Sequence, residues 1–423
     1  MRTPFGFLFL LVFIAILDYY VFQGIKHLVH SYESRTRSAV HTIYWVISFI
    51  SLGGILLLIF TEPTFSGKLF RQYTGAVLFG LVLCKLIMAL FFLTDDFRRF
   101  FYWSFKAVSA KSNIKAGQSA DAISRSAFIS WLGFSAGSIL FGTYLFGMNN
   151  KYNYKVTRQS LFFPRLPDAF DGLRVVHISD IHAGSFADKQ AVIRGIKKIT
   201  DLQPDIVFFT GDLVNNRADE MQDFMDVFSK IKAPYGVFSV LGNHDYGDYV
   251  NWPYQGISKD ANLDRLKSIH SELGWQLLLN EHHIVRKNNA IIGIVGVENW
   301  SSKGRFPKYG DLSKALDGLP ACPFTILLSH DPSHWDAQVL DNKDHIDLTL
   351  SGHTHGMQFG VEIPGFRWSP VQYMYPRWAG AYEVNNRHLY VNRGFGFLGY
   401  PGRVGILPEI TLLELRKTRD GSA

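Results

Sequence analysis

Two regimes of apolar patterning divide the chain near residue 148. Before that point apolar residues run on without a period in four blocks, at 4–24, 40–60, 73–93 and 127–148. Each block has the length of a membrane-crossing helix, which takes roughly 20 apolar residues. Beyond it the apolar runs shorten and are separated by Gly, Asp, Asn and Pro. Helical spacing at 188–200, 218–231 and 262–273 alternates with strand-like runs at 174–179, 205–210 and 236–241. Three shorter strands are predicted before 297, and others at 324–329, 346–351, 389–392 and 410–415. The predicted architecture is a four-helix transmembrane bundle over 1–148 and a linker over 149–171. An α/β domain over 172–423 follows, with a largely parallel or mixed layered sheet.

Charge adds a direction to the membrane half. The net charge of +7 does not form one basic stripe, so nucleic-acid binding is not expected. Lys26, Arg35 and Arg37 follow the first span. Arg98, Arg99, Lys106, Lys111, Lys115 and Arg125 follow the third, against Arg2, Lys68 and Arg71 on the other side. The positive-inside rule then puts the N-terminus and the α/β domain outside the cytoplasm, although Lys151, Lys155, Arg158 and Arg165 reduce the bias. Ser124-Arg125-Ser126-Ala127-Phe128-Ile129 resembles a twin-arginine signal reduced to one arginine, and points the same way. The first span is followed by three more and lacks a small-residue cleavage site, so it reads as a span rather than a cleaved leader.

Asp18 and Lys85 lie inside spans at similar depth, either paired or snorkelling separately. Residues 97–106 mix aromatic and basic side chains, as an interfacial helix or as a continuation of the third span. The two cysteines, Cys84 and Cys322, are too few for a thiolate metal site and too unlike in setting for a disulfide framework.

The candidate chemistry sits where the strands stop. The five runs end at Asp180 and His182, at Gly211-Asp212, at Gly242-Asn243-His244-Asp245, at His330, and at Gly352-His353-Thr354-His355. Ligand sites of open α/β sheets lie at strand carboxyl ends, and parallel neighbours would bring all five to one edge. Oxygen and imidazole donors without thiolate suit Mn, Fe, Zn or Co. They are too many for one tetrahedral ion and enough for two divalent metals, which at roughly 3.5–4 Å separation polarise a phosphoryl group and activate water.

The order D-x-H, G-D, G-N-H-D, H, G-H-x-H resembles the calcineurin-like metallophosphoesterase family over about residues 172–415. The words SDIHAG, LGNHDY and LSGHTHG are most similar to its membrane-anchored or exported bacterial phosphodiesterases. The resemblance implies a two-sheet αββα sandwich. It also implies one metal on Asp180, His182 and His355, a second on Asn243, His330 and His353, and Asp212 bridging them. His244 would face the scissile phosphate, with Asp245 orienting it. The implied activity is hydrolysis of phosphodiesters or phosphomonoesters, with a lipid or envelope substrate at the membrane. One alternative is a cytoplasm-facing UDP-diacylglucosamine pyrophosphatase of lipid A synthesis. Another is a non-catalytic metal-binding membrane scaffold.

Outside the motifs, His177 reads as a core histidine, and His270 and His334 have no motif around them. Arg393 and Arg403 flank the Gly-rich stretch 394–402, to contact phosphate or to close a surface loop. Trp368, Tyr373, Tyr375 and Trp378 form either an apolar wall that recognises a lipid or grips the membrane surface, or the packing of a long loop.

Overall fold

The computed structural model describes residues 4–61, 67–108, 125–304 and 306–417. Arg2, Lys111, Lys115 and Ser124 of the topology argument lie outside them. The chain divides into two compact units, Met1–Phe146 and Gly147–Ala423.

Among the described residues the first unit contains four apolar helices, α1 (Pro4–Leu28), α2 (Ser34–Phe60), α3 (Lys68–Val108) and α4 (Arg125–Gly147). All four are long and apolar enough to cross a membrane. Helix α3 runs unbroken to Val108, so residues 97–106 continue the third span and are not a separate interfacial helix. Asp18 and Lys85 form an ion pair. Ser48 bridges them, donating to Asp18 Oδ1 at 3.2 Å and accepting from Lys85 Nζ at 3.1 Å. Tyr44 donates to the Asp18 carbonyl at 2.8 Å. A charge in hydrocarbon is costly unless paired, so one cluster satisfies groups from α1, α2 and α3 together.

The second unit is four-layered. One sheet has the order β1 (Lys155–Phe163), β14 (Glu409–Lys417), β2 (Leu173–Ile178), β3 (Ile206–Thr210), β4 (Val237–Val240) and β5 (Gln276–Leu277). The other has the order β12 (Gly380–Val384), β13 (Arg387–Val391), β9 (Leu348–Ser351), β8 (Thr325–Leu328), β7 (Ala290–Gly296) and β6 (Glu281–Lys287). A hairpin, β10 (Val361–Ile363) and β11 (Phe366–Trp368), stands apart. Strands β2, β3 and β4 are mutually parallel, and so are β7, β8, β9 and β13.

Alternation along each strand builds the layers. Ile206 and Phe208 of β3 face Ile326 and Leu328 of β8 and Leu348 and Leu350 of β9 in the core between the sheets. Val207 and Phe209 point outward to Val192, Ile196 and Ile199 of α5 (Lys189–Asp201). Leu327 and Val391 pack outward against Leu312 of a short helix (Leu312–Leu316), and against Trp335 and Val339. This is an αββα sandwich. The span 149–171 is not a linker: it holds β1, an edge strand paired in parallel with β14 across nine positions. The helix expected at 218–231 is a tight helical turn followed by the single turn Met225–Phe228.

Three buried histidines serve the core. His177 meets the Thr210 hydroxyl at 2.9 Å, His270 that of Ser239 at 2.9 Å, and His334 that of Ser329 at 2.8 Å. Burial depresses the three imidazoles to about 4, 3 and 4 respectively. The unfolded chain takes up these protons below about pH 6.5, while the folded chain stays neutral until about 4. Stability is therefore full above pH 6.5 and lost as pH falls, by about 1.4 kcal/mol per pH unit for each histidine. Thermal melts between pH 7 and pH 5 should show this fall, and His270→Gln should reduce the slope. An unchanged slope would contradict the assignment.

Candidate metal centre

The motif residues converge from both sheets. Asp180 and His182 follow β2, Asp212 follows β3 and Asn243 follows β4. His330 follows β8, and His353 and His355 follow β9. The strand ends share one rim of the sandwich instead of one edge of a single sheet, because the parallel segments of the two sheets face each other. Two tight groups result: Asp180, His182 and His355, and Asp212, His330 and His353. Asp212 Oδ2 lies 3.2 Å from His330 Nε2 and 3.5 Å from His182 Nε2, so it touches both groups. Asp180 Oδ1 is 3.2 Å from His355 Nε2, and the Nε2 atoms of His182 and His355 are 3.1 Å apart. The Nδ1 of His353 is 3.2 Å from His330 Nε2.

Backbone strain accompanies this convergence. Asp180, His182, Asp212, His353 and His355 all have positive φ, between 48° and 70°. Each such residue costs about 1–3 kcal/mol and persists only where its surroundings hold it. The loops also cross closely. A Cβ on Gly211, whose φ is 93°, would come within 2.8 Å of Gly242 Cα, and one on Gly242 within 2.6 Å of the Asp212 nitrogen. Glycine in the G-D and G-N motifs is thus needed for backbone approach.

Electrostatics matches a cation-binding role. Burial opposes ionisation of Asp212, yet His330, His244 and His182 hold its carboxyl well below the usual range. Burial likewise opposes ionisation of Asp180, and His355 holds it low. Burial works against charge on His330, but the Asp212 carboxylate outweighs it and raises the imidazole to about 10. His182 and His353 are pushed down by burial, toward the neutral form that ligates metal. Asn243 supplies a direct test of fit: its Nδ2 donates to the Tyr249 hydroxyl at 2.8 Å, while its buried Oδ1 has no hydrogen-bond partner among the described residues. An orphaned amide oxygen in a centre with two carboxylates and four imidazoles is what a divalent cation would satisfy.

Around these residues the structure revises several sequence expectations. Among the described residues no hydrogen bond joins Asp245 to the His244 ring. Its carboxylate accepts from the backbone nitrogens of Gly242 (2.8 Å), Asp212 (2.9 Å), Leu213 (2.8 Å) and Val214 (3.3 Å). His244 is instead oriented by the Asn215 carbonyl, which its Nδ1 meets at 2.7 Å. Arg393 and Arg403 are not surface-loop residues, because both are buried and their guanidinium groups bond protein acceptors. Arg393 pairs with Glu409 at 2.6 Å and Glu362 at 2.5 Å. Arg403 donates to the carbonyls of Arg393 (2.8 Å) and His355 (3.1 Å), groups that a glycine-rich loop leaves without partners.

The four aromatic residues divide between the two readings. Tyr375 and Trp378 are buried, whereas Tyr373 is exposed and Trp368 half-buried. The Tyr375 hydroxyl lies 2.9 Å from His353 Nε2 and donates to Asp331 at 3.1 Å. This pair fixes the ring of a candidate ligand. The sequence hint for Asp331 was its place directly after His330; Tyr375 had no such signal. A cleft of about 430 Å³ opens over the centre, lined by His182, His244 and His355 with Tyr249, Met357 and Leu398.

Comparison with known proteins agrees with this geometry. Residues 173–357 match the calcineurin-like phosphoesterase family, and residues 1–151 match the family described as a probable calcineurin-like phosphoesterase transmembrane domain. The chain is 30% identical over 271 residues to the Bacillus subtilis metallophosphoesterase YkuE, covering 62% of this chain and 86% of that one. It is also 30% identical over 272 residues to a Danio rerio "transmembrane protein with metallophosphoesterase domain", of which it spans 57% against 62% of itself. Identity to the UDP-2,3-diacylglucosamine pyrophosphatase LpxG of Chlamydia trachomatis is 28% over 292 residues, 57% of this chain and 83% of that one. The chain belongs to the calcineurin-like metallophosphoesterase family. Within that family it carries the four-span transmembrane domain.

Proposed function

We propose that the chain is a membrane-anchored hydrolase of phosphoesters working with two divalent metal ions. The observation that carries this is the pair of adjoining ligand groups joined at Asp212 Oδ2. Asp180, His182 and His355 would hold one ion. Asn243, His330 and His353 would hold the other, and Asp212 would serve both. The ions, when bound, supply Lewis-acid polarisation of the phosphoryl group and activation of water.

The chain's own residues do the rest. His244 keeps its Nδ1 proton on the Asn215 carbonyl, which directs Nε2 to the cleft. There it stabilises developing charge or delivers a proton to the leaving oxygen. Asp245 holds the loops that carry Asp212 and Asn243. Tyr375 and Asp331 fix His353.

For the substrate, a phosphoester carried by a membrane lipid is the reading we favour. The relative named as a nucleotide-lipid pyrophosphatase supports it, as does the apolar part of the cleft lining, Met357, Val371, Met374 and Leu398. The charge bias of the loops favours an extracytoplasmic catalytic unit. A cytoplasmic unit would instead suit a lipid A precursor.

The test is turnover of bis-p-nitrophenyl phosphate by the detergent-purified chain after stripping with chelator and loading with Mn, Fe, Zn or Co. Metal-dependent release of nitrophenol is expected. No turnover with any of these ions would sink the hydrolase reading. A one-sided reporter fused after the last residue separates the two topologies.

A further inference from the structure

The hairpin of β10 and β11 is amphipathic with its polarity reversed. Val361 lies opposite Trp368, and Ile363 opposite Phe366, so these four side chains share one face. That face is the outer one: Val361 is 42% exposed, Ile363 58% and Phe366 54%. The inner face carries Glu362, which binds the buried Arg393 and lies 3.7 Å from Lys155. A hairpin in water puts its apolar face inward. Here pairing with the buried Arg393 holds Glu362 inward and leaves the apolar face out. Tyr373, Met374 and Met357 extend the exposed apolar surface toward the cleft.

The position of this surface along the chain identifies what covers it. Gly147 ends helix α4 and opens the catalytic unit. Its carbonyl accepts from Arg403 N at 2.9 Å, and the next residue, Val404, is bonded to both sides of the hairpin's entry. Val404 N donates to the Gln358 carbonyl at 2.8 Å and its carbonyl accepts from Gly360 N at 2.9 Å. The base of the hairpin is thus fixed beside Gly147, the last residue of the fourth apolar helix. Lys155 beside it and Arg367 within it are exposed, and basic side chains attract anionic headgroups.

We propose that the apolar face of this hairpin, Val361, Ile363 and Phe366, docks into the headgroup–acyl boundary of the bilayer that anchors the chain. Docking holds the metal cleft at the lipid surface. This inference stands whether or not the substrate is a lipid.

The experiment uses the full chain with Cys322→Ser, reconstituted in nanodiscs of phosphatidylcholine and phosphatidylglycerol. An environment-sensitive fluorophore is attached at Phe366→Cys and, as a water-facing control, at Lys197→Cys. At 366 we expect quenching by shallow spin-labelled lipid and protection from iodide; at 197 the reverse. Equal iodide access at both sites overturns the proposal. Protection from iodide without quenching by lipid also overturns it, and assigns the face to protein, such as a second copy. Turnover of bis-p-nitrophenyl phosphate by both labelled chains, expected within about twofold of the unlabelled chain, confirms folding and reports separately on the hydrolase reading.

Discussion

Asp212→Asn should abolish metal-dependent turnover, lowering kcat/KM by at least about a thousandfold, or roughly 4 kcal/mol of transition-state stabilisation. Metal content should fall with it. The reason lies in how many demands the carboxylate meets. One oxygen sits within 3.5 Å of imidazole nitrogens from both ligand groups, and the other accepts from His244 N at 2.9 Å. An amide keeps one acceptor and turns the other atom into a donor. It can hold the His244 backbone or face the cations, but not both. It also removes the negative charge that raises His330. Assayed by metal analysis and nitrophenyl ester hydrolysis, a variant keeping both metals and a tenth of the activity would show that Asp212 does not join the two sites.

The motifs were readable because each stands at the end of a strand whose apolar run is unmistakable in sequence. Val175, Val176 and Ile178 announce β2, and the polar residues after them must turn away from the core. Order along the chain then suffices to assemble Asp180, Asp212, Asn243, His330 and His355, since parallel strands put their carboxyl ends on the same side. What order does not show is which sheet a strand joins. The expected single edge became a rim shared by two sheets because β4 and β8 belong to different layers. Strand β1 was missed for a related reason. Its polar positions are paired edge positions, and its partner β14 lies more than 240 residues away. Such pairing leaves no local trace.

Side-chain roles were harder to read than side-chain positions. Arg393 and Arg403 flank a glycine-rich stretch and look exposed, yet Arg403 is the buried donor to loop carbonyls and Arg393 pairs with the buried Glu409. Tyr375 sits among aromatic residues that suggest packing, and only the fold shows its hydroxyl on His353. In each case the role depends on a partner distant in sequence.

Asp245 separates a role inferred from likeness from one set by geometry, and its variants should have the second largest effect. If it oriented His244, Asp245→Asn would chiefly shift the pH dependence of turnover and leave stability nearly unchanged. The structure predicts another pattern. The carboxylate gathers four backbone N–H groups from the loops after β3 and β4. Leaving a buried N–H unsatisfied costs about 1–3 kcal/mol. Asp245→Leu should therefore remove several of the roughly 5–15 kcal/mol that hold a domain folded, and give little or no soluble protein. Asp245→Asn, nearly isosteric but with one acceptor, should fold with a lower melting temperature. Its metal affinity should fall too, because the backbone of Asp212 and the Gly242-Asn243 turn are no longer clamped. Its pH profile should keep its shape, since the Asn215 carbonyl still holds His244. Burial, then the neighbouring Asp212, push the Asp245 carboxyl up to about 7. The N–H donors and bound cations oppose that, so metal loading should raise the melting temperature more in the parent chain than in Asp245→Asn. An Asp245→Asn chain with parental stability and metal affinity but a displaced pH optimum would restore the orienting role and overturn the clamp.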